Sequence, residues 1–222
     1  MASLSDPVPG CPFGDIAWNH TLLRKRRSGL TVIAMNGNHA RLCPSPEWAE
    51  HLHSDVLPQI TAGVALGEEL LEVGPGPGAA TDWLRARVRR LVAVERDEPT
   101  ADALARHFAH TNVEVLHGDA TALGFDDASF DSAASFTMLH HVPTRVLQTR
   151  LLAEVLRILR PGGALIGYDS LHSDELHHFH EGDSYNPIDP PALLTILLAL
   201  GFCDVTITVD WALNFVAHAP RA

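Results

Sequence analysis

Short apolar runs alternate with longer amphipathic stretches from residue 70 onwards. Runs of this length, bounded by turn-forming or acidic residues, are typical of buried strands, and they lie at 70–73, 91–94, 112–117, 132–136, 164–168, 203–209 and 213–218. Helix-forming stretches lie between them, at 79–90, 100–109, 145–159 and 190–200. The alternation predicts an α/β fold with a mostly parallel, doubly wound, seven-stranded sheet. A three-residue gap before the last run predicts a hairpin, with the last strand antiparallel.

Residues 1–60 precede the first predicted strand and follow a different pattern. Proline and glycine are frequent up to residue 15, which predicts a loop, and 16–27 are predicted to form a short helix. A second helix is predicted to begin at Pro46 with Ser45 as its N-cap, because Trp48 and later apolar residues recur at helical spacing. We therefore expect an N-terminal helical extension over 1–60 and a main domain over 61–222.

Charge and composition argue against several classes of protein. The 222 residues carry a net charge of −11, whereas a general nucleic-acid binder needs a basic surface. No apolar run reaches the length of a membrane-spanning helix, and the first ten residues lack the pattern of a signal peptide. Three widely spaced cysteines suit reduced thiols in the cytoplasm. We expect a cytoplasmic monomer or homodimer that binds neither nucleic acid nor membrane.

The first predicted strand, which contains Glu72, leads into a glycine-rich turn with Gly74, Gly76 and Gly78. Glycines allow a ligand to touch the backbone, and the next helix N-terminus offers unpaired N–H groups. Glu95 ends the second strand about 20 residues further on, where a carboxylate can accept both hydroxyls of a ribose. The pattern predicts a nucleotide-type ligand. Its G-x-G-x-G spacing departs from the G-x-G-x-x-G of dinucleotide folds, which argues against an NAD-dependent oxidoreductase.

Several motifs in a fixed order carry a resemblance to a known family. They are Glu72-Val73-Gly74-Pro75-Gly76-Pro77-Gly78, Glu95, Gly118-Asp119-Ala120, Phe130-Asp131 and Leu159-Arg160-Pro161-Gly162-Gly163. Over residues 68–170 the set resembles class I S-adenosylmethionine (SAM)-dependent methyltransferases, most of all the small-molecule branch related to the UbiE-like enzymes. The resemblance implies a Rossmann-like sheet, SAM as cofactor and S-adenosylhomocysteine (SAH) as product. It also implies that the N-terminal extension closes over the active site and selects the substrate.

The same resemblance implies a set of cofactor-binding residues. They are Glu72, Gly74, Gly76, Gly78, Glu95, Asp119, Ala120 and Ser135, with Phe136 as the alternative to Ser135. The glycines are expected to face the methionine and ribose parts, and Glu72 to support their loop or the ammonium group. Glu95 is expected to bind the ribose hydroxyls and Asp119 the adenine amino group, with the Ala120 N–H at the ring.

Methyl transfer from a sulfonium is an in-line displacement, so positioning in a dry pocket supplies much of the catalysis. A hydroxyl or protonated amine acceptor also needs a base, for which histidine is the usual choice. His140 and His141 follow the fourth strand, while Tyr168, Asp169 and His172 lie at the end of the fifth. We expect the base to come from this group, with His140 or His141 favoured and Asp169 either catalytic or a loop cap.

Histidine and acidic residues are dense between positions 172 and 181. Such a segment could bind a metal through imidazole and carboxylate groups, or line a polar substrate pocket. The spacing matches neither H-E-x-x-H nor a cysteine-bearing metal pattern. We therefore expect a solvated lid and no metal site.

The motifs of nucleic-acid base methylation do not match this chain. The position after strand four reads Ser135-Phe136-Thr137-Met138 in place of an Asn/Asp-Pro-Pro-aromatic run, and no Pro-Cys nucleophile is present. The expected activity is therefore methyl transfer to oxygen, nitrogen or carbon of a small molecule. Two alternatives stay open: a non-catalytic SAM-binding protein that acts through a partner, and the NAD-dependent oxidoreductase.

Overall fold

The computed structural model describes residues 17–19, 43–180 and 184–221. Its strands are β1 (Ala17–Asn19), β2 (Glu69–Val73), β3 (Arg90–Glu95), β4 (Val113–His117), β5 (Phe130–Phe136), β6 (Leu159–Asp169), β7 (Cys203–Val209) and β8 (Leu213–His218). Its α-helices are α1 (Pro46–His51), α2 (Leu57–Ile60), α3 (Ala79–Arg85), α4 (Glu98–His107), α5 (Arg145–Ile158), α6 (Asp174–Phe179) and α7 (Pro190–Leu200). A π-helical segment, Leu52–Val56, joins α1 to α2, and a 3-10 turn, Leu139–His141, follows β5.

The strands of the described residues form one sheet in the order β1-β7-β8-β6-β5-β2-β3-β4. Strand β8 is antiparallel to both of its neighbours, and the remaining pairs are parallel. The seven predicted strands and the C-terminal hairpin are confirmed. The chain moves outward in one direction from β2 and in the other from β5, so the switch point of the topology lies between these two strands. Ligands of such sheets bind at the carboxyl ends of the strands near that point.

Strand β1 is an addition to the predicted sheet. It pairs in parallel with β7, with Ala17 opposite Thr206 and Asn19 opposite Thr208. The short helix expected over 16–27 is therefore wrong at 17–19, and the rest of that range lies outside the described residues. Pairing with a distant edge strand decides this segment, and the local sequence pattern carries no signal for such pairing.

Helix α1 begins as predicted, because the Ser45 side chain accepts a hydrogen bond from the Trp48 N–H at 3.1 Å and Pro46 occupies the first turn. Helix α3 is shorter than predicted: it ends at Arg85, although helical composition continues to Arg90. Arg90 instead begins β3, where its guanidinium binds carboxylates on both neighbouring strands. These ion pairs accompany the pairing of β3, which starts at Arg90, with β2 and β4.

Helices cover both faces of the sheet, which fits a doubly wound architecture. Leu71 and Leu165 lie in the core on one face, together with α5 and α7. Leu70 and Ile166 lie in the core on the other face, together with α3 and α4. The helical segment 46–60 packs on this second core through its buried residues Leu52, Val56, Leu57 and Ile60. No helix in the described ranges has the length and apolar character needed to cross a membrane.

Candidate active site

A cavity of about 330 Å³ lies at the carboxyl ends of the central strands. Its wall includes the turn after β2, the end of β3, the turn after β4 and the segment after β5. Helical residues 48 and 52 line it from the N-terminal side. The residues of the predicted cofactor set that line this cavity are Glu72, Gly74, Gly76, Glu95, Asp119 and Ala120. The fold thus brings together side chains from three separate strand ends, as expected at the switch point.

The glycine loop after β2 needs glycine for two different reasons. Gly74 has a φ of 63°, and a Cβ on it would lie 2.0 Å from the Cγ atom of Met138. Gly76 has a φ of 54°, but a Cβ there would meet no atom within 4 Å. Gly76 therefore needs its left-handed backbone conformation and leaves open space beside the cavity, where a ligand can approach the chain.

Gly78 differs from the other two glycines. It caps the N-terminus of α3 with a φ of 92°, and a Cβ would lie 2.6 Å from Leu104 and 2.9 Å from Phe108 of the neighbouring helix region. The residue is not among those that line the cavity. The missing side chain of Gly78 lets α3 approach α4, and the ligand contact expected at Gly78 stays a prediction.

Glu95 is held at the wall of the cavity by backbone groups. Its Oε2 atom accepts a hydrogen bond from the Gly76 N–H at 3.1 Å, and its Oε1 atom accepts one from the Asp97 N–H at 2.9 Å. The carboxylate therefore has a fixed position next to the glycine loop. The ribose contact expected for Glu95 stays a prediction that this position favours.

Glu72 lies deeper in the same wall and is only 2 % exposed. Burial raises the pKa of its carboxyl group to about 7, the Thr81 hydroxyl opposes that rise, and the charge of Glu95 adds to it. The Thr81 hydroxyl donates to Glu72 Oε2 at 2.6 Å. Near neutral pH this group can therefore gain or lose a proton when the charge beside it changes.

Asp119 follows β4 and combines a structural bond with access to the cavity. Its Oδ1 atom accepts a hydrogen bond from the Thr121 N–H at 2.8 Å. This bond holds the pKa of Asp119 below its usual range, so the side chain stays ionised. Both Asp119 and Ala120 line the cavity, and the adenine contacts expected for them stay predictions.

Ser135 and Phe136, at the end of β5, differ in their position relative to the cavity. Successive residues of a strand point to opposite faces, and it is Phe136 that lines the cavity. Ser135 is buried on the other face and is not among the residues that line the cavity, and the cofactor contact expected for it stays a prediction. Thr137 follows with a φ of 49°, which is strained for a β-branched residue and of a kind that clusters at functional sites.

The predicted catalytic residues lie together beyond this segment. His141 lines the cavity, and its ring centroid is 4.2 Å from that of the buried His140. The Nδ1 atom of His140 lies 2.5 Å from Oδ1 of Asp169, whose side chain is 0 % exposed. Asp169 Oδ1 also accepts the Ser170 N–H at 2.7 Å. The role of base expected for this pair of histidines stays a prediction, which the position of His141 favours.

The other two candidate bases lie outside the cavity lining. Burial raises the pKa of Tyr168 above its usual range, so its hydroxyl stays protonated at neutral pH. Its ring packs between Trp48 and Trp211. His172 is exposed.

Several residues that line the cavity belong to no binding motif in the sequence. Cys43, Trp48 and Leu52 come from the N-terminal segment, where the resemblance implied a cover over the site but named no residue. Burial raises the pKa of the Cys43 thiol to about 11, so it stays a neutral thiol at pH 7. His180 belongs to the histidine-rich segment noted in the sequence, but only the folded chain shows that it lies next to His140 and His141.

Comparisons with known proteins agree with this geometry. Residues 71–167 match the family described as "Methyltransferase domain". A demethylmenaquinone methyltransferase of Clavibacter sepedonicus is 36% identical over 102 residues, which are 45% of this chain and 40% of that protein. An uncharacterised methyltransferase of Mycobacterium bovis is 32% identical over 120 residues, which are 53% of this chain and 58% of that protein. The match thus spans about half the length of these curated relatives.

The fold has a matching solved structure. A SAM-dependent methyltransferase of Methanosarcina mazei superposes with a TM-score of 0.62 at 17% identity, over 74% of this chain and 98% of that one. The doubly wound sheet and its glycine loop are typical of nucleotide-binding α/β proteins. The family match and the relatives are more specific: residues 71–167 match a methyltransferase domain, and the relatives that resemble this part of the chain are named as methyltransferases. SAM is the cofactor that this similarity implies.

Proposed function

We propose that this chain transfers the methyl group of SAM to an oxygen, nitrogen or carbon atom of a small-molecule acceptor. The observation that carries the proposal is the shared cavity, because six of the eight expected cofactor residues line the same space as His141. SAM supplies an electrophilic methyl carbon, and its sulfur leaves as a neutral thioether. The residues of the chain hold the two partners in line and exclude water, which is where most of the rate enhancement arises.

The cofactor side of the cavity supports specific contacts. Glu95 takes the ribose hydroxyls, and little reorganisation is needed because two backbone N–H groups already fix its carboxylate. Asp119 accepts from the adenine amino group, and the Ala120 N–H lies at the ring. Glu72 lies near the ammonium group, whose positive charge stabilises the ionised form of this buried carboxyl group.

The acceptor side is formed by His141 and by the helical extension. His141 contacts the acceptor directly, and His140 with Asp169 lies behind it. Trp48 and Leu52 provide apolar contacts from the opposite wall. This arrangement supports the extension as the part of the chain that selects the substrate. We propose that the cluster around His141 activates the acceptor, because His141 is a histidine in the cavity lining.

A small molecule is the proposed class of acceptor for two reasons. The cavity volume of about 330 Å³ lies in the range of small-molecule sites. The net charge of −11 opposes the approach of a polyanion such as nucleic acid. The Clavibacter relative is named for demethylmenaquinone, so that molecule is the first acceptor to test, followed by phenols, amines and compounds with an acidic C–H group.

The proposal is tested with SAM that carries a labelled methyl group. We expect label in one acceptor and an equal amount of SAH. His141→Ala should lower kcat about 100-fold or more while leaving SAH affinity within about twofold. The matched control, His178→Ala, removes an exposed histidine that lies outside the cavity lining and should keep full turnover. Full turnover in His141→Ala would remove that residue from the acceptor site. SAH binding without transfer to any acceptor would favour the non-catalytic alternative.

A further inference from the structure

Three histidines from two distant segments converge beside the cavity. His140 and His141 lie on the 3-10 turn after β5, and His180 caps the C-terminus of α6. One ring nitrogen of each lies within 4.8 Å of the corresponding nitrogens of the other two. His140 and His180 are each 3 % exposed. Nothing in the assigned family match requires a group of three imidazoles at this place.

Existing hydrogen bonds fix which nitrogen carries the proton in two of these rings. His140 Nδ1 lies 2.5 Å from a carboxylate oxygen of Asp169, and His180 Nδ1 lies 2.6 Å from the carbonyl oxygen of Leu176. Because a carbonyl oxygen and an ionised carboxylate only accept, both Nδ1 atoms are donors. In the neutral ring the lone pair is then on Nε2. This is the tautomer of a metal-binding histidine, whose other nitrogen donates to a carboxylate or a carbonyl group.

A buried carboxylate lies beside the three rings. Asp169 is 0 % exposed, and within the described residues its Oδ2 atom has no hydrogen-bond partner. Within the described residues, the ion-pair partner of this carboxylate is His140. A carboxylate removed from water needs positive charge nearby. A cation held by the three rings supplies that charge.

We propose that His140, His141 and His180 bind one divalent transition-metal ion, with Asp169 orienting His140 from behind. Neutral imidazoles without a thiolate match Zn²⁺ best and also accept Co²⁺. Ring nitrogens bound to one tetrahedral ion are about 3.3 Å apart, from Zn–N bonds of about 2.0–2.1 Å. The separation of up to 4.8 Å therefore has to shorten by about 1.5 Å when the ion binds. Tyr185 stacks on His180 with ring centroids 4.3 Å apart and limits the movement of that ring.

The position of the ion would deepen the proposed function, on which this part of the inference rests. His141 lines the cavity, so an ion bound to it would lie beside the space that we propose for the acceptor. An oxygen or nitrogen atom bound to this ion loses its proton more readily. The metal, held by the cluster, is then the group that activates the acceptor.

The test uses the untagged full chain, stripped with a chelator and titrated with Zn²⁺ by calorimetry. We expect one ion per chain with micromolar or tighter Kd, and visible absorption bands typical of a coordinated metal when Co²⁺ is used instead. His180→Ala should weaken Zn²⁺ binding more than tenfold, and Asp169→Asn about 10- to 100-fold. The matched control is His178→Ala, an exposed histidine of the same helix, and it should change nothing.

A fold control accompanies each variant. SAH affinity and the circular dichroism spectrum are measured on the same preparations, and His141→Ala serves as a second ligand variant because its side chain is only partly buried. Absence of Zn²⁺ and Co²⁺ binding would overturn the inference, as would equal affinity in His180→Ala, His141→Ala and the control. If SAH still binds in that case, the methyltransferase proposal stands without the metal. Metal binding without SAH binding would support the metal site and contradict the methyltransferase proposal.

Discussion

Glu72 links the chemistry of the cavity to the stability of the fold. Its pKa is about 7 in the folded protein, because of burial, against an ordinary value of 4.5. Between these two pH values the folded state holds a proton that the unfolded state releases. Ionisation of this buried carboxyl group therefore lowers the free energy of unfolding as pH rises from about 4.5 to 7. Above pH 7 the group is ionised in both states, and the free energy of unfolding stays at its lowered value.

Glu72→Gln should raise the free energy of unfolding at pH 8 by about 1–3 kcal/mol and change it little at pH 4.5. The reason is that the amide keeps an acceptor for Thr81 but carries no buried charge. Urea unfolding at the two pH values measures the difference. Glu68→Gln, at an exposed carboxylate, is the control and should stay within about 0.5 kcal/mol. An equal effect of Glu72→Gln at both pH values would contradict the assigned pKa.

Gly76 and Gly78 of the glycine loop differ in what surrounds them, so substitution by alanine should affect stability and ligand binding differently at the two positions. Gly76→Ala should cost about 1 kcal/mol of stability from its positive φ, and it should weaken SAH binding because the new methyl group enters open space beside the cavity. Gly78→Ala should cost about 2–4 kcal/mol, since overlap with Leu104 and Phe108 adds to the strain, with a smaller effect on SAH. Calorimetry and urea unfolding of both variants test this. The reverse order of either effect would show that the roles are misassigned.

Some positions in the candidate site can be predicted from local sequence motifs, whereas others depend on contacts between distant parts of the chain. Glu95 and Asp119 could be predicted because each ends a strand of a recognisable motif, and the fold places both at the cavity. The packing role of Gly78 could not be predicted, since it depends on a helix 20 or more residues away. The proximity of His180 to His140 likewise depends on how α6 returns to the end of β5.

At the scale of elements, the helical segment 46–60 is part of the hydrophobic core and also lines the cavity. Leu57 is fully buried in the same cluster as Leu70 and Leu84. His53 Nε2 lies 2.7 Å from the carbonyl oxygen of Ala79, at the start of α3. The π-helical segment between these contacts is a feature that often marks functional sites. These contacts join the segment firmly to the main domain.

Leu57→Ala should therefore lower the free energy of unfolding by about 2–5 kcal/mol, as expected for truncation in a core. The transition should remain single by fluorescence and circular dichroism, because segment 46–60 unfolds with the sheet. Val146→Ala, at an exposed position on α5, should stay within about 0.5 kcal/mol. A separate early transition in Leu57→Ala would show that the segment unfolds independently as a lid.

The elements that could be predicted are those with a strong local pattern. Apolar runs identified β2 to β8, and Ser45 with Pro46 identified the start of α1. Strand β1 and the early end of α3 could not be predicted, because each depends on a partner strand elsewhere in the sequence. Helix α6 was missed inside a polar segment, since its single short turn has little apolar periodicity.

At the scale of the whole molecule, the sheet topology explains why one cavity serves two purposes. The switch point between β2 and β5 places the glycine loop beside the segment that carries Phe136 and His141. The residues that we propose bind the cofactor thus come from one half of the sheet, and those that we propose bind the acceptor come from the other half. Trp48 and Leu52 of segment 46–60 line the same cavity. The alternation of strands and helices in the sequence predicts the sheet topology. It does not predict which residues line the part of the cavity proposed for the acceptor, because these lie in the segments that connect the strands.

Calorimetric titration with SAH, with Glu95→Ala beside it, tests the central claim most directly. We predict a micromolar Kd, a loss of more than tenfold in Glu95→Ala, which is about 1.4 kcal/mol or more, and no binding of NADH. Glu98→Ala, at an exposed glutamate three positions further on, should bind SAH like the unaltered chain. Binding of NADH without SAH, or equal SAH affinity in Glu95→Ala, would contradict the assignment of this cavity to SAM.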